Sequence, residues 1–205
     1  MPQDNFVKIE KRIRNELDNE RFRHTMAVSY TAASLAMAYE ADIEKARLAG
    51  LLHDCAKCIP NEKKLKLAER YGLPVSEAER QSPQLLHAKL GAYIARNEYG
   101  VEDGDVLGAI RWHTTGKPDM TLLEKIIFMA DYIEPLRFQA KNLEEIRFVS
   151  FRDLDGAVYM TLRDTLEYLE ERAKRSIDES TFNAYEYYKK LIENRNRADA
   201  PGEVL

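Results

Sequence analysis

A chain of 205 residues, 44% hydrophobic and 32% charged, has the length of a single domain and is long enough to bury a sizeable core. Asp and Glu number 35 against 31 Lys and Arg, so there is no basic excess of the kind that binds nucleic acid without regard to sequence, and a polyanionic substrate would have to be gripped locally. The opening MPQDNFVKIEKRIRNELDNE is charged throughout and lacks the apolar core of a secretory leader, and no later stretch is apolar for the length of a membrane helix; the expectation is a cytoplasmic protein with neither nucleic acid nor membrane as partner.

Helical periodicity runs through the chain. An N-terminal helix falls within residues 1–19. In RFRHTMAVSYTAASLAMAYE, Ala27, Val28, Thr31, Ala32 and Leu35 recur three and four apart with no glycine or proline, which predicts one long helix. Further helices are predicted over 42–53, 61–71, 83–99, 103–113, 121–134, 153–174 and 180–194, separated by Pro60, Gly72 with Pro74, Gly100, Gly116 with Pro118, and Pro135. No alternating strand pattern appears, so the fold class is all-α. Near the end, FNAYEYYKKLI sets Phe182, Tyr185 and Tyr188 on one helical face, a docking stripe for the body of the protein or for a second copy in a homodimer. The closing RADAPGEVL is expected to fray. The resulting organisation is a helix at 1–19, a body at 20–175, and a C-terminal docking helix with its tail at 176–205.

Cys55 and Cys58 form a lone C-x-x-C. A thioredoxin-type motif would stand in an alternating strand and helix pattern, and a structural zinc would need a second ligand pair; neither is present, so both cysteines are read as small packing residues.

In LLHDCAKCIP, residues 51–60, His53 and Asp54 stand back to back where a helix should still be burying its face. A carboxylate and an imidazole at the edge of a core need a partner there, a metal ion being one candidate and the capping of a helix end another. The chain holds four histidines. His24 shares a face with Val28 and Ala32, His87 precedes Leu90 by three residues and Ile94 by seven, and His113 follows Ile110 by three. A single histidine on an apolar face is ordinarily a hydrogen-bonded core residue, but four around one core leave several ring nitrogens each needing its own solution. Asp131 joins them, because Leu123, Ile127 and Asp131 are successive plus-four positions. Four imidazoles and two carboxylates make a mixed nitrogen and oxygen set suited to iron, manganese or zinc, more than to calcium or magnesium alone. Two ions sharing one carboxylate would use all six groups and leave positions for water, a layout that hydrolyses phosphate esters and anhydrides.

The segments RFRHT at 21–25, LLHDCAKCIP at 51–60, LLHAKLGA at 85–92, RWHTTG at 111–116 and ADYIEPLR at 130–137, in this order, resemble the HD-domain metal-dependent phosphohydrolases. The wider fit, over about residues 20–170, is to their YqeK-type branch, the symmetrical dinucleoside tetraphosphate hydrolases; FQAKNLEEIR after Arg137 carries no matching motif. The resemblance implies a compact multi-helix HD fold over 20–175 with a two-metal site in the helical core. Two first-row ions per chain are implied, commonly iron with manganese or zinc as alternatives. His24, His53, Asp54 and Asp131 would take one ion, and Asp54, His87 and His113 the other, with Asp54 as the bridge.

A polyphosphate held by two ions still needs cations for its remaining oxygens. Lys57, three residues after Asp54, is the first phosphate contact expected and shares the catalytic role with Asp54. Arg21, one turn before His24, and Arg137, beyond Pro135, come next, with a surface salt bridge as the alternative for each. Thr114, Thr115 and Gly116 follow His113 at a helix end, either approaching a phosphate or capping the helix. The expected activity is cleavage of diadenosine tetraphosphate and related dinucleoside polyphosphates to nucleoside diphosphates. The alternatives are an HD hydrolase of mononucleotides or cyclic dinucleotides, and a metal-containing nucleotide sensor without turnover.

Overall fold

Short polar side chains stand at the start of most helices and fix where each begins. Asp18, Asp42, Ser76, Asp103, Thr121 and Asp153 each accept a backbone N–H of the first turn, and Ser76 with Glu79 and Thr121 with Glu124 complete reciprocal capping boxes. The computed structural model describes residues 3–173 and 177–198, and these form eleven α-helices with no strand, in agreement with the all-α expectation. They are α1 Gln3–Glu16, α2 Asn19–Ala38, α3 Ile43–Leu52, α4 Asn61–Arg70, α5 Glu77–Gln81, α6 Leu86–Glu98, α7 Gly104–Trp112, α8 Leu122–Ile133, α9 Leu143–Ser150, α10 Leu154–Tyr168 and α11 Glu179–Ala198. A 3-10 turn, Pro83–Leu85, leads into α6, and α10 passes into a π-helical turn, Leu169–Ala173. Of the closing RADAPGEVL expected to fray, Arg197 and Ala198 still belong to α11, while residues 199–205 and the boundary drawn at 175/176 lie outside the described residues.

Helices α2, α3, α6, α7 and α8 surround the core, where Leu35, Leu51, Leu52, Leu90, Ile110, Ile126, Ile127 and Met129 are sealed from solvent. Helices α2 and α3 approach each other closely at Gly50. A Cβ on Gly50 would lie 2.8 Å from the Ser29 Cα, so only glycine lets the two backbones meet there, and the Ser29 hydroxyl donates to the Arg47 carbonyl at 2.9 Å. That contact sets His24 of α2 beside His53 at the end of α3.

Two helices escape the sequence reading. Helix α5 has only five residues, and α9 occupies part of FQAKNLEEIR, starting after Asn142 in the left-handed region (φ 53) with no side-chain cap. The docking stripe needs a correction. Helix α11 lies on α10 through Thr181, Ala184 and Tyr188; the Tyr188 hydroxyl accepts the Met120 N–H at 3.1 Å, and Tyr185 stacks on Tyr159. Phe182 is 51% exposed. Steps of three residues lag the helical turn by about 60° each, which carries Phe182 off the face that Tyr188 occupies. Among the described residues no helix is long and apolar enough to cross a membrane.

Candidate metal centre

Five elements deliver the polar groups to one point in the core. His24 projects from inside α2, His53 and Asp54 follow the last residue of α3, His87 is the second residue of α6, His113 follows the last residue of α7, and Asp131 lies in α8. The His24 and His53 Nε2 atoms are 3.3 Å apart, and those of His87 and His113 are 3.0 Å apart. Asp131 Oδ1 lies 3.1 Å from His24 Nε2 and 3.9 Å from His53 Nε2. Asp54 stands between the two pairs: Oδ2 is 3.6 Å from His53 Nε2 and 3.8 Å from His24 Nε2, and Oδ1 is 3.2 Å from His87 Nε2 and 3.6 Å from His113 Nε2. His24, His53 and Asp131 gather on one side and His53, Asp54 and His113 on the other, and His87 closes on Asp54 Oδ1 and His113. All six residues singled out by spacing therefore meet.

The tautomers follow from the bonds at the far nitrogens. The Nδ1 atoms of His53, His87 and His113 lie 2.7, 2.6 and 2.7 Å from the carbonyl oxygens of Gly50, Gln84 and Ile110. A carbonyl only accepts, so each Nδ1 carries the proton and each Nε2 presents a lone pair inward. The His87 and His113 lone pairs face each other with only the Thr114 hydroxyl, at 3.1 and 3.0 Å, and the Lys57 ammonium, 3.1 Å from His87 Nε2, to answer them. Asp54 Oδ1 is buried with no hydrogen-bond partner among the described residues. Converging lone pairs and carboxylates without matching protons are what a divalent cation satisfies, so the residues present fit metal ions.

Ionisation agrees with that chemistry. Burial pushes the His53 and His87 imidazoles down to about 4, which keeps them neutral as ligands must be. Burial opposes ionisation of Asp54, but the positive field around it, to which the Lys57 ammonium beside Oδ1 contributes, holds its carboxyl well below the usual carboxylate range. Asp131 is likewise held low against its burial by the bond to His24. His24 moves up: burial works against its charged form, and Asp131 with Glu134 overrules it.

The expected substrate contacts divide. Arg21 donates to Asp54 Oδ2 at 2.8 Å and is thus tied to the ligand set, while Lys57 stands 3.5 Å from Asp54 Oδ1. Arg137 donates through Nε and Nη2 to the Asp131 carbonyl at 3.2 and 3.0 Å. A cavity of about 620 Å³ opens from the centre; Lys57, His113, Thr114, Asp131 and Arg137 line it there, Phe128, Tyr132 and Tyr168 supply rings, and Asp164, Glu167 and Glu171 supply carboxylates. Thr115 and Gly116 are not among its lining residues. Gly116 adopts a left-handed φ of 64° and donates to the Trp112 carbonyl, the cap alternative, with its Cα turned toward Ala184 and Phe128.

Two residues went unnoticed in the sequence. Glu134 is buried and accepts from His24 Nδ1 at 3.2 Å and from the Leu136 N–H at 2.6 Å. Its spacing, three after Asp131, was the available signal, masked by Pro135, which makes a helix-ending turn the simpler reading. Lys64 is buried and donates to the Lys57 carbonyl at 3.1 Å and to Asn61 Oδ1 at 3.2 Å, bracing the turn that carries Lys57; in the run EKKLK it reads as a solvated charge. Cys55 and Cys58 are both free, and burial pushes the Cys55 thiol far up, leaving it protonated.

Comparison with known proteins places this geometry in a family. The HD domain model matches residues 21–136. A protein of Halalkalibacterium halodurans named symmetrical bis(5'-nucleosyl)-tetraphosphatase is 45% identical over 157 residues, which is 77% of this chain and 83% of that one. A Bacillus subtilis protein of the same name is 38% identical over 175 residues, 85% of this chain and 92% of the other. The crystal structure of a predicted HD superfamily hydrolase involved in NAD metabolism, from Clostridium acetobutylicum, superimposes with a TM-score of 0.87 at 38% identity and covers 91% of this chain and 97% of that one. With a matching domain over more than half its length and relatives aligned over most of theirs, the chain belongs to the HD-domain family.

Proposed function

We propose that this protein hydrolyses dinucleoside tetraphosphates, diadenosine tetraphosphate above all, by symmetrical cleavage into two nucleoside diphosphates. The observation that carries the reading is the meeting of four imidazoles and two carboxylates at the mouth of a cavity that is cationic beside them and aromatic and acidic along α10. The names of the relatives from Halalkalibacterium halodurans and Bacillus subtilis point the same way.

His24, His53, Asp54 and Asp131 would hold one first-row ion and Asp54, His87 and His113 a second, iron being our assignment. Bound there, such ions supply Lewis-acid polarisation of a phosphoryl oxygen and a nucleophilic water at neutral pH. Asp54 offers one oxygen to each side and so fixes the spacing between the two halves. Lys57 brings three donors to the cavity wall, where phosphoryl oxygens accept them and charge developing in the transition state is offset. Arg137, braced on the Asp131 carbonyl and lying over the Tyr132 ring, presents a second cation to the phosphate chain. Tyr132 and Tyr168 offer faces to a base, and Asp164 and Glu167 offer acceptors to ribose hydroxyls or an exocyclic amine. A nucleoside seated along α10 with two phosphates reaching back to Asp54 sets the central anhydride at the ligand set. The departing diphosphate is a good leaving group and needs no general acid.

Protein loaded anaerobically with iron, manganese or zinc is to be incubated with diadenosine tetraphosphate and the products separated by ion exchange. ADP as the sole early product supports the proposal; ATP with AMP in equal amounts, or no turnover with any of the three metals, refutes it.

A further inference from the structure

Three of the four histidines draw their Nδ1 acceptor from the main chain, three residues back in each case: Gly50, Gln84 and Ile110. The Gly50 and Ile110 carbonyls lie in the last turns of α3 and α7, where helical bonding leaves oxygens without a partner, and Gln84 belongs to the 3-10 turn before α6. His24 has no such oxygen, since inside α2 the preceding carbonyls are taken by the helix's own ladder. Its proton goes to the Glu134 carboxylate, 110 residues further on. That carboxylate is fixed in turn: its other oxygen accepts the Leu136 N–H, and Arg147 donates to the carbonyls of Ile133, Glu134 and Arg137. One side of the centre thus rests on neutral dipoles alone, and the other has a full negative charge behind it.

We propose that Glu134 is a positioning residue that makes the two ion positions unequal, so that the ion held by His24, His53 and Asp131 binds more tightly and is the last to be released. A carboxylate on the far nitrogen orients the imidazole and raises its basicity toward a metal more than a backbone carbonyl does. The inference rests on the two-ion reading above and goes beyond it by ranking the positions.

The test uses the ion alone, with no substrate. Protein carrying two equivalents of zinc is challenged with rising chelator, and the zinc retained is measured. Wild type releases its equivalents in two separated steps. In Glu134→Gln the amide can satisfy His24 or Leu136 but not with the same charge, and the later step moves roughly 10- to 100-fold toward the earlier one, which stays in place. Glu134→Asp, which keeps the charge on a shorter stem, recovers part of the shift and serves as the reading variant if the Gln form does not fold. A purely structural role would move both steps together. Both steps unchanged, both moved equally, or only the earlier one moved overturns the inference while leaving the two-ion reading intact. Wild type that holds fewer than two equivalents overturns that reading and the inference with it.

Discussion

The Nε2 atoms of His87 and His113 face each other at 3.0 Å while both rings keep their protons on Nδ1, bound to the Gln84 and Ile110 carbonyls. Two lone pairs at that distance repel, and the strain is relieved by a cation between them or by donors such as Lys57 and Thr114.

Metal loading is therefore expected to stabilise the fold. With free ion at about a thousandfold above its dissociation constant the gain is roughly 4 kcal/mol, or on the order of 10 °C in melting temperature. Scanning fluorimetry of loaded and chelator-stripped protein measures the difference, and elemental analysis should find close to two first-row ions per chain in protein purified without chelator. His87→Ala should lose one equivalent in preference to the other.

Asp54→Ala removes the group shared between the two halves, whereas Lys57→Ala removes a cation from the cavity wall and leaves the ligand set whole. Turnover should vanish in the first and fall about 100-fold in the second, with metal content preserved only in the second. Equal losses of metal in the two variants would count against the separate roles.

In the stripped protein, stability should fall as pH drops from neutral. His53 and His87 sit at about 4 when folded, below the ordinary histidine value of 6.5, so the unfolded chain takes up their protons first; their contribution is whole above 6.5 and is lost progressively down to about 4. Each costs about 2 kcal/mol by pH 5. His24, shifted upward, works in the opposite sense, and the depressed Asp54 and Asp131 begin to lose their contribution only as the pH falls through the usual carboxylate range, below the span tested. Urea midpoints of stripped protein at pH 7, 6 and 5 follow the trend, and a flat profile would contradict it.

Gly50→Ala places a methyl 2.8 Å from the Ser29 Cα, a backbone atom that cannot rotate away. Helices α2 and α3 must separate, at about 1–3 kcal/mol, and His24 moves off His53. A lowered melting temperature together with weaker zinc retention is expected; the first without the second would mean that the ligand set adapts.

Much of the centre was legible because helix period alone decides which way a side chain points. His24 with Val28 and Ala32, and Asp131 with Leu123 and Ile127, need no tertiary information to be set inward. What stayed hidden depends on contacts between distant segments. The Glu134 bond to His24 spans 110 residues, and the spacing of Glu134 from Asp131, even once noticed, does not name that partner. Helix α9 lacks a capping side chain, so nothing marks its start, and Phe182 illustrates how a three-residue step read as one face drifts away from the true one. For Arg21 the residue was singled out but its partner was not: it holds Asp54 Oδ2, a bond that only the crossing of α2 and the turn after α3 creates.

The backbone acceptors behind His87 and His113 have a genetic consequence. Every residue type carries a carbonyl, so replacements at positions 84 and 110 that preserve the local turn leave those two imidazoles oriented as before. His24 enjoys no such insulation. Its orientation hangs on a single side chain, and one base change in the codon for Glu134, to glutamine or lysine, is enough to release it. Mutational tolerance around the centre is thus uneven, and random mutagenesis should find position 134 far less forgiving than the exposed position 84, while Ile110 is constrained by its place in the core and not by His113.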